Sequence, residues 1–472
     1  SVTERLINFL TPISNVLYYP ILIVLLLGIG LYFTFRTKGV QIRDFKEAIG
    51  VIMEKPEKED SVSSFQALMV STASRVGTGN IVGVSTAICL GGYGAVFWMW
   101  LVAIIGGSSA FIESTLAQIY KKKTPTGDSY GGPSHYIETA LHNRGLGIIF
   151  SVFLILTYAV GFNMLAAYNL QDSFQVYDFY HAQWTPLIVG GVLALVTGYC
   201  ILGGGKRIIS FTSFLVPFMG TIYVGVALIM ILFNLNYLPT IFTLIFKDAF
   251  NFKAIFSGIA GSSMMYGIKR GLFSNEAGIG SAPNAAASAH VSHPVKQGLV
   301  QMISVFIDTL LICSATAFMC LSSGITPAEE LSGAAYVQAS LATVFGNFGN
   351  IFITVSLMLF GFTTLIGNLY YVDNNIAYIF KGTPRPGIMR LFRIFFILVV
   401  FLGALQESTL AWMTADILMA LMALINLPAI LLLSKQAIAA LNDYHKQRKA
   451  GKNPVFRAKD IGLDPQKLDF WQ

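Results

Sequence analysis

Residues 74–83, Ser-Arg-Val-Gly-Thr-Gly-Asn-Ile-Val-Gly, put three glycines, a threonine, an asparagine and an arginine inside a stretch apolar enough to cross a membrane. Glycine is the poorest helix former after proline, and arginine at membrane depth is costly. Where a helix breaks at that depth, its unpaired N–H and C=O groups are tolerated only if they line a cavity or if a ligand replaces the lost bonds. In a span running from inside to outside, the half after the break opens with free N–H groups at Thr78, Gly79 and Asn80. Its dipole favours an anion such as a carboxylate. The half before the break ends in free carbonyls around Ala73 to Val76, which suit a cation. A zwitterion plus a small cation satisfies both ends. Tight helix packing would account for the glycines but not for Thr78 or Asn80. A dinucleotide fingerprint is excluded: GTGNIVG has one residue too many before its third glycine for G-x-G-x-x-G, and no strand pattern precedes it.

Other residue types at membrane depth carry chemistry of the same kind. Thr363 and Thr364, mid-span in NIFITVSLMLFGFTTLIGNLYYV, offer adjacent hydroxyls as hard oxygen ligands. Helical threonines also bond back to the preceding turn. Glu276, in the second glycine-rich stretch, and Asp308 are ionisable groups in apolar surroundings, which are functional by default and usually paired. Glu113 reads as a cap or a partner for a loop lysine, and Trp98 and Trp100 as interfacial anchors. His290 and His293 stand three apart without an HExxH context, so a zinc protease is excluded. No G-x-S-x-G elbow, phosphate loop or second soluble domain is present, which removes ATP-driven transport within this chain.

These residues must be held by membrane helices. Of 472 residues, 54% are hydrophobic and only 12% charged, against about 25% charged in soluble domains. Mean hydropathy is +0.65. Cys89, Cys200, Cys313 and Cys320 lie in apolar spans without metal-ligand spacing and read as packing residues. Eleven candidate spans occur near 15–35, 63–90, 95–120, 148–170, 186–203, 208–234, 254–289, 295–322, 348–379, 391–405 and 410–434. The first lacks a cleavage site and reads as a retained helix. Basic residues concentrate in one alternate set of loops, leaving Arg5, Lys247 and Lys253 on the other side. The net charge of +7 is therefore topology, with the N-terminus outside and the C-terminus cytoplasmic.

The spans 63–90 and 254–289 are long and interrupted by glycine and polar residues. With the first span set aside, they are core helices one and six of ten and enter the membrane from opposite sides. Two halves of five with inverted topology, each opening on a broken helix, point to a secondary transporter. The expected organisation is an N-terminal segment 1–62, a first repeat 63–235, an extracellular loop and second repeat 236–434, and a cytoplasmic tail 435–472. The fold class is an all-α integral membrane protein with an N-terminal helix and a five-plus-five inverted-repeat core.

GGYGAVFWMWLVAIIG at 91–106 resembles the signature of the sodium:alanine (alanine or glycine:cation) symporter family, and KRGLFSNEAGIGSAP at 269–283 is similar to a second block of it. The resemblance runs from about residue 60 to 434. The family lies in the amino acid–polyamine–organocation group, with the leucine-transporter-type fold. GTGN at 77–80 and FSNEAGIG at 273–280 look like that fold's segments at the breaks in helices one and six. The resemblance implies that the Thr78 and Gly79 amides hold a substrate carboxylate. Carbonyls at Phe273 and Ser274, with Asn275 beside them, would face the ammonium, and Phe273 would be an aromatic lid. One sodium ion would sit between the Arg75 carbonyl, the Asn80 side chain and the Ser274 hydroxyl. A second would sit between the Ala73 and Val76 carbonyls and the Thr363 and Thr364 hydroxyls. Arg75 departs from the fold's usual small residue and needs neutralising, with Glu276 and Asp308 as candidate partners; a purely structural ion pair fits as well.

The expected function is sodium-coupled symport of alanine or glycine by alternating access, with no organic cofactor, nucleic acid or obligate protein partner and with the lipid bilayer around it. Tyr158, Asn163 and Asn368 are the expected size-selecting residues. The alternative is a proton-coupled or exchange-mode carrier using Glu276 or Asp308. An ion channel fits two inverted broken helices less well, and an enzyme would need a nucleophile–base pair or metal ligands at one depth.

Overall fold

In hydrocarbon, a backbone must satisfy its own hydrogen bonds, so apolar spans fold as helices. The structure, a computed structural model, describes residues 1–201 and 204–472, without the side chains of 204–209 and 211–213. Among the described residues, eight helices are long and apolar enough to cross a membrane: Val2–Arg36, Ala95–Ile119, Arg144–Val176, Phe214–Phe233, Pro294–Ser322, Asn347–Phe380, Pro386–Gly403 and Ser408–Lys449. Thr185–Cys200 is apolar but only 16 residues long. The first helix begins well before residue 15, and the last continues past 434 to Lys449.

Both interrupted stretches are split helices. In the first, Ser63 caps the start: its hydroxyl accepts from the Gln66 amide at 3.1 Å while the Gln66 side chain accepts from the Ser63 amide at 3.0 Å. Helix Ser64–Arg75 then stops at Val76, whose backbone is extended. A 3₁₀ turn Thr78–Asn80 bridges to Val82–Gly91. A 12-residue half-helix rises about 18 Å, roughly half a bilayer core. In the second, Ser262 caps Ser263–Asn275, and the chain leaves the helix at Glu276 in a left-handed conformation, φ 56°. Gly278 and Gly280 follow at φ 83° and 99°, where a Cβ is disfavoured, before a short turn of helix Ala282–Ala286.

Around this pair, Ala95–Ile119 packs against both the second split helix and Pro294–Phe306, and Asn347–Phe380 packs against Ser64–Arg75. Trp98 and Trp100 have their indole N–H groups bonded within the protein. The Trp98 indole donates to the Ala249 carbonyl at 3.2 Å and that of Trp100 to Ser314 Oγ at 2.8 Å. Both face helix Leu238–Ala249, which occupies the expected loop and lays Phe246 against Phe97 and Trp100. At the opposite end, residues beyond Lys449 fold back: the Phe456 amide donates to the Ser292 carbonyl and the Trp471 indole to the Gln118 carbonyl.

Candidate functional site

The two breaks meet. Ser74, Arg75, Gly77, Thr78 and Gly79 of the first, Phe273 and Glu276 of the second, Phe162 and Ala166 of Arg144–Val176, and Thr364 of Asn347–Phe380 enclose a cavity of about 10 Å³. That is space for the centre of one water-sized sphere. The amides of Thr78 and Gly79 donate to no acceptor among the described residues, while the Gly77 amide is taken by Asn80 Oδ1 at 2.9 Å. The unpaired donors are therefore at the two residues where a carboxylate was expected. The Thr78 hydroxyl is oriented by Asn169, whose amide donates to it at 3.0 Å.

Phe273 covers this end. Its ring packs edge-on against Phe162 and Trp412, centroids 4.9 and 5.1 Å away. A Cβ on Gly79 would lie 2.6 Å from two of its ring atoms. Asn275 does not reach the cavity; its side-chain oxygen accepts from the Ala277 amide at 3.0 Å and its amide nitrogen has no partner among the described residues.

At the cation end, Thr364 Oγ1 lies 3.1 Å from the Ala73 carbonyl and 3.4 Å from that of Val76. Three hard oxygens thus converge from two helices. A Cβ on Gly77 would collide with this hydroxyl, which explains the glycine. Thr363 behaves differently: its hydroxyl bonds back to the carbonyls of Leu359 and Phe360, 3.1 Å each, in its own helix.

Asn80 and Ser274 are gathered by Asp308. Asn80 Nδ2 donates to Asp308 Oδ1 at 2.9 Å, and the hydroxyls of Ser274 and Thr309 donate to Oδ2 at 2.8 and 2.9 Å. Asp308 lies in the first turn of a π-helical segment, Ile307–Cys313. That turn aligns residues five apart, so Cys313 also lies against Asn80 and Ser274.

Arg75 is not paired with either expected carboxylate. Neither Glu276 nor Asp308 comes within 4.0 Å of it; Nη1 donates to the Gln301 carbonyl at 3.2 Å, and Nε and Nη2 have no partner among the described residues. The side chain leaves the last turn of its half-helix toward Pro294–Phe306, where Gln301 meets it. Glu276 lines the cavity and accepts from the Ser281 hydroxyl at 2.9 Å.

The expected size selectors form a second layer. Asn163, Asn368 and Ser74 are linked, Asn368 Nδ2 to Asn163 Oδ1 at 3.0 Å and Ser74 Oγ to Asn368 Oδ1 at 3.1 Å. Tyr158 packs edge-on against Tyr371. Phe162 and Ala166 line the cavity instead, because a π-helical turn at Leu156–Gly161 rotates the following helix relative to a regular one.

Two further buried carboxylates were misread or missed. Glu113 meets no loop lysine. It accepts from the Gly278 amide at 3.2 Å and from Asn426 at 2.8 Å, holding the unwound segment of the second break. Asp416 makes a bidentate pair with Arg270, 2.9 Å at each oxygen, and Arg270 stacks 4.0 Å from the Trp412 ring that supports Phe273. An acid inside the otherwise apolar span 410–434 was the available signal for it. His293 caps Pro294–Phe306 and faces Asp443 at 3.0 Å; no group that could hold a metal ion through His, Cys, Asp and Glu occurs among the described residues.

The profile of the Sodium:alanine symporter family matches residues 3–458. A Bacillus subtilis protein named "Probable sodium/glutamine symporter GlnT" is 43% identical over 472 residues, covering 99% of this chain and 97% of its own. The Amino-acid carrier protein AlsT of the same organism is 42% identical, covering 97% and 96%. The crystal structure of MhsT in complex with L-phenylalanine superposes with a TM-score of 0.54 at 11% identity, over 88% of this chain and 97% of that one. At that identity the likeness concerns the fold.

Proposed function

The chain belongs to the sodium:alanine symporter family, and from that premise we propose that it imports small neutral amino acids together with sodium by alternating access. It is a multi-pass membrane protein and a transporter rather than an enzyme. In this reading eleven helices cross the bilayer, with the N-terminus outside and the inner face carrying the basic loops. The observation that carries the reading is the cavity between the two breaks, with unpaired amides of Thr78 and Gly79 at one edge and the Thr364–Ala73–Val76 oxygens at the other. The amides take the substrate carboxylate, and the carbonyls of Phe273 and Ser274 face its ammonium. Uptake into proteoliposomes with sodium and proton gradients imposed separately tests it: accumulation driven by protons alone would overturn sodium coupling.

Two cation sites follow. One is formed by Ala73, Val76 and Thr364. The other is formed by Asn80, Ser274 and Asp308, with the Arg75 carbonyl at the end of the adjoining half-helix; the Asp308 carboxylate supplies the charge that offsets the nearby guanidinium. Thr364→Ala removes a hydroxyl from the first and should raise the sodium concentration for half-maximal uptake about tenfold, equivalent to ~1.4 kcal/mol. Thr363→Ala, whose hydroxyl is spent within its helix, should change it less than twofold. Asp308→Asn should raise it at least tenfold. Sodium titrations of uptake check all three, and equal responses of Thr363 and Thr364 would move the first site.

Substrate size is set by Phe162, Ala166 and Phe273. A pocket discriminates one methylene by only about 1–3 kcal/mol, so rejection of larger amino acids must come from steric closure. The expected order in a binding assay on purified protein is alanine and glycine strong, serine weaker, valine, leucine and glutamine undetectable. Glutamine binding as tightly as alanine would place this chain with the relative named for glutamine.

A further inference from the structure

A second, larger cavity lies away from the breaks, on the face that carries the basic loops. It measures about 720 Å³, within the range of ligand sites. Its wall is built from a two-stranded antiparallel hairpin, Lys122–Lys123 paired with Ser129–Tyr130, the helix Pro133–Ala140 and the end of Asn347–Phe380. Four cations line it, Lys122, Lys123, Arg144 and Lys381, with two acids. Both acids are already engaged: Glu138 with Arg144 at 3.2 Å, and Asp373 in a bidentate pair with Arg393. None of the three lysines makes an ion pair among the described residues. Lys123 rides over the Phe470 ring at 4.8 Å, and its backbone amide donates to Asp469 at 2.8 Å.

A second observation points into the same space. His135 lines the cavity with its side chain more than nine-tenths buried, and its Nε2 has no partner among the described residues. The ring is wedged between Tyr130 and Tyr378, centroids 5.4 and 4.9 Å away. Burial, with Lys122 and Arg144 nearby, pushes its pKa down to about 3, so the imidazole is neutral and brings one N–H. A buried polar atom without a partner is costly, and a ligand oxygen would relieve it.

We propose that this cavity binds a phosphate-bearing anion, held by Lys122, Lys123 and Lys381 with the Thr383 hydroxyl and the His135 imidazole as neutral partners. Three separate ammonium groups and these neutral polar groups suit a tetrahedral group with several acceptor oxygens better than they suit a single carboxylate. The site bears on transport because its wall touches the second split helix. Asn374 donates to the Gly131 carbonyl and to Asn284 Oδ1, and the Ser129 hydroxyl donates to the Ala287 carbonyl. An occupant braces the hairpin against that helix. Placement in the cytoplasm rests on the orientation proposed above; the site itself does not.

The test uses the full chain, purified, and the variant Lys122→Gln/Lys381→Gln, with retained alanine binding or an unchanged melting temperature in chloride as the check of folding. One arm adds 10 mM inorganic phosphate, and separately glycerol phosphate, against chloride of equal ionic strength. The other asks by native mass spectrometry whether phosphatidylglycerol is retained over phosphatidylcholine. The expected result is a rise in melting temperature of at least about 2 °C with a phosphate, or selective retention of the anionic lipid, reduced at least threefold in the variant. A shift without lipid retention assigns a soluble ligand, and retention without a shift assigns a headgroup. Neither effect, or equal effects in both proteins, overturns the site.

Discussion

Gly79→Leu abolishes substrate binding while leaving the protein folded. The reason is local. A Cβ at position 79 already comes within 2.6 Å of Cδ1 and Cε1 of Phe273, and that ring is held between Phe162 and Trp412. A leucine therefore displaces the lid and fills the space in front of the Thr78 and Gly79 amides, where the carboxylate is proposed to sit. Loss of a charge-assisted contact of about 1.5–3 kcal/mol combines with steric exclusion, so the expected weakening exceeds 100-fold and titration calorimetry should register no heat with alanine. Thr78→Val separates the effects. It removes the hydroxyl bonded by Asn169 but keeps the amide, and should cost no more than about tenfold. Normal alanine affinity in a Gly79→Leu protein with an unchanged melting temperature would remove the carboxylate from this break.

The breaks themselves were legible because glycine and polar residues inside apolar spans conflict with both helix propensity and membrane depth. Nothing else in the sequence explained Thr78, Asn80 and the FSNEAGIG run. Thr364 was legible with its helix but not apart from Thr363, since two adjacent hydroxyls differ only in which side of the helix faces the break. The lining of the cavity was not legible. Tyr158 and Asn163 were named as the polar groups of that span, whereas Phe162 and Ala166, after the π-helical turn at 156–161, line the cavity, and nothing in LTYAVG signals such a turn. The same holds at Asp308, whose alignment with Cys313 depends on a five-residue spacing. Arg75 was misassigned for another reason. Charge complementarity suggested a carboxylate partner, but the rotamer open to the last turn of a broken helix reaches Gln301, a neutral residue that charge reasoning passes over.

Asp416→Ala should destabilise the protein by about 3–5 kcal/mol, because it strands a buried guanidinium. Both side chains of the pair are only 4% exposed, both oxygens of Asp416 are used, and Arg270 also stacks on Trp412. Two roles fit this geometry. The pair could be a brace between the second split helix and Ser408–Lys449. Alternatively it could be a gate that closes over Phe273, since Trp412 connects Arg270 to the lid ring. Stability alone does not separate them, but Arg270→Met combined with Asp416→Leu does. Well-packed apolar replacements for a buried ion pair are often neutral in stability, so the double variant should recover most of the lost melting temperature. If the pair is a gate, uptake stays at least tenfold below the unmodified protein while alanine still binds, because closing no longer includes re-forming two charge-assisted bonds. Full uptake by the stabilised double variant would leave the pair as a brace, and the closing step would then rest on Phe273 and its aromatic neighbours.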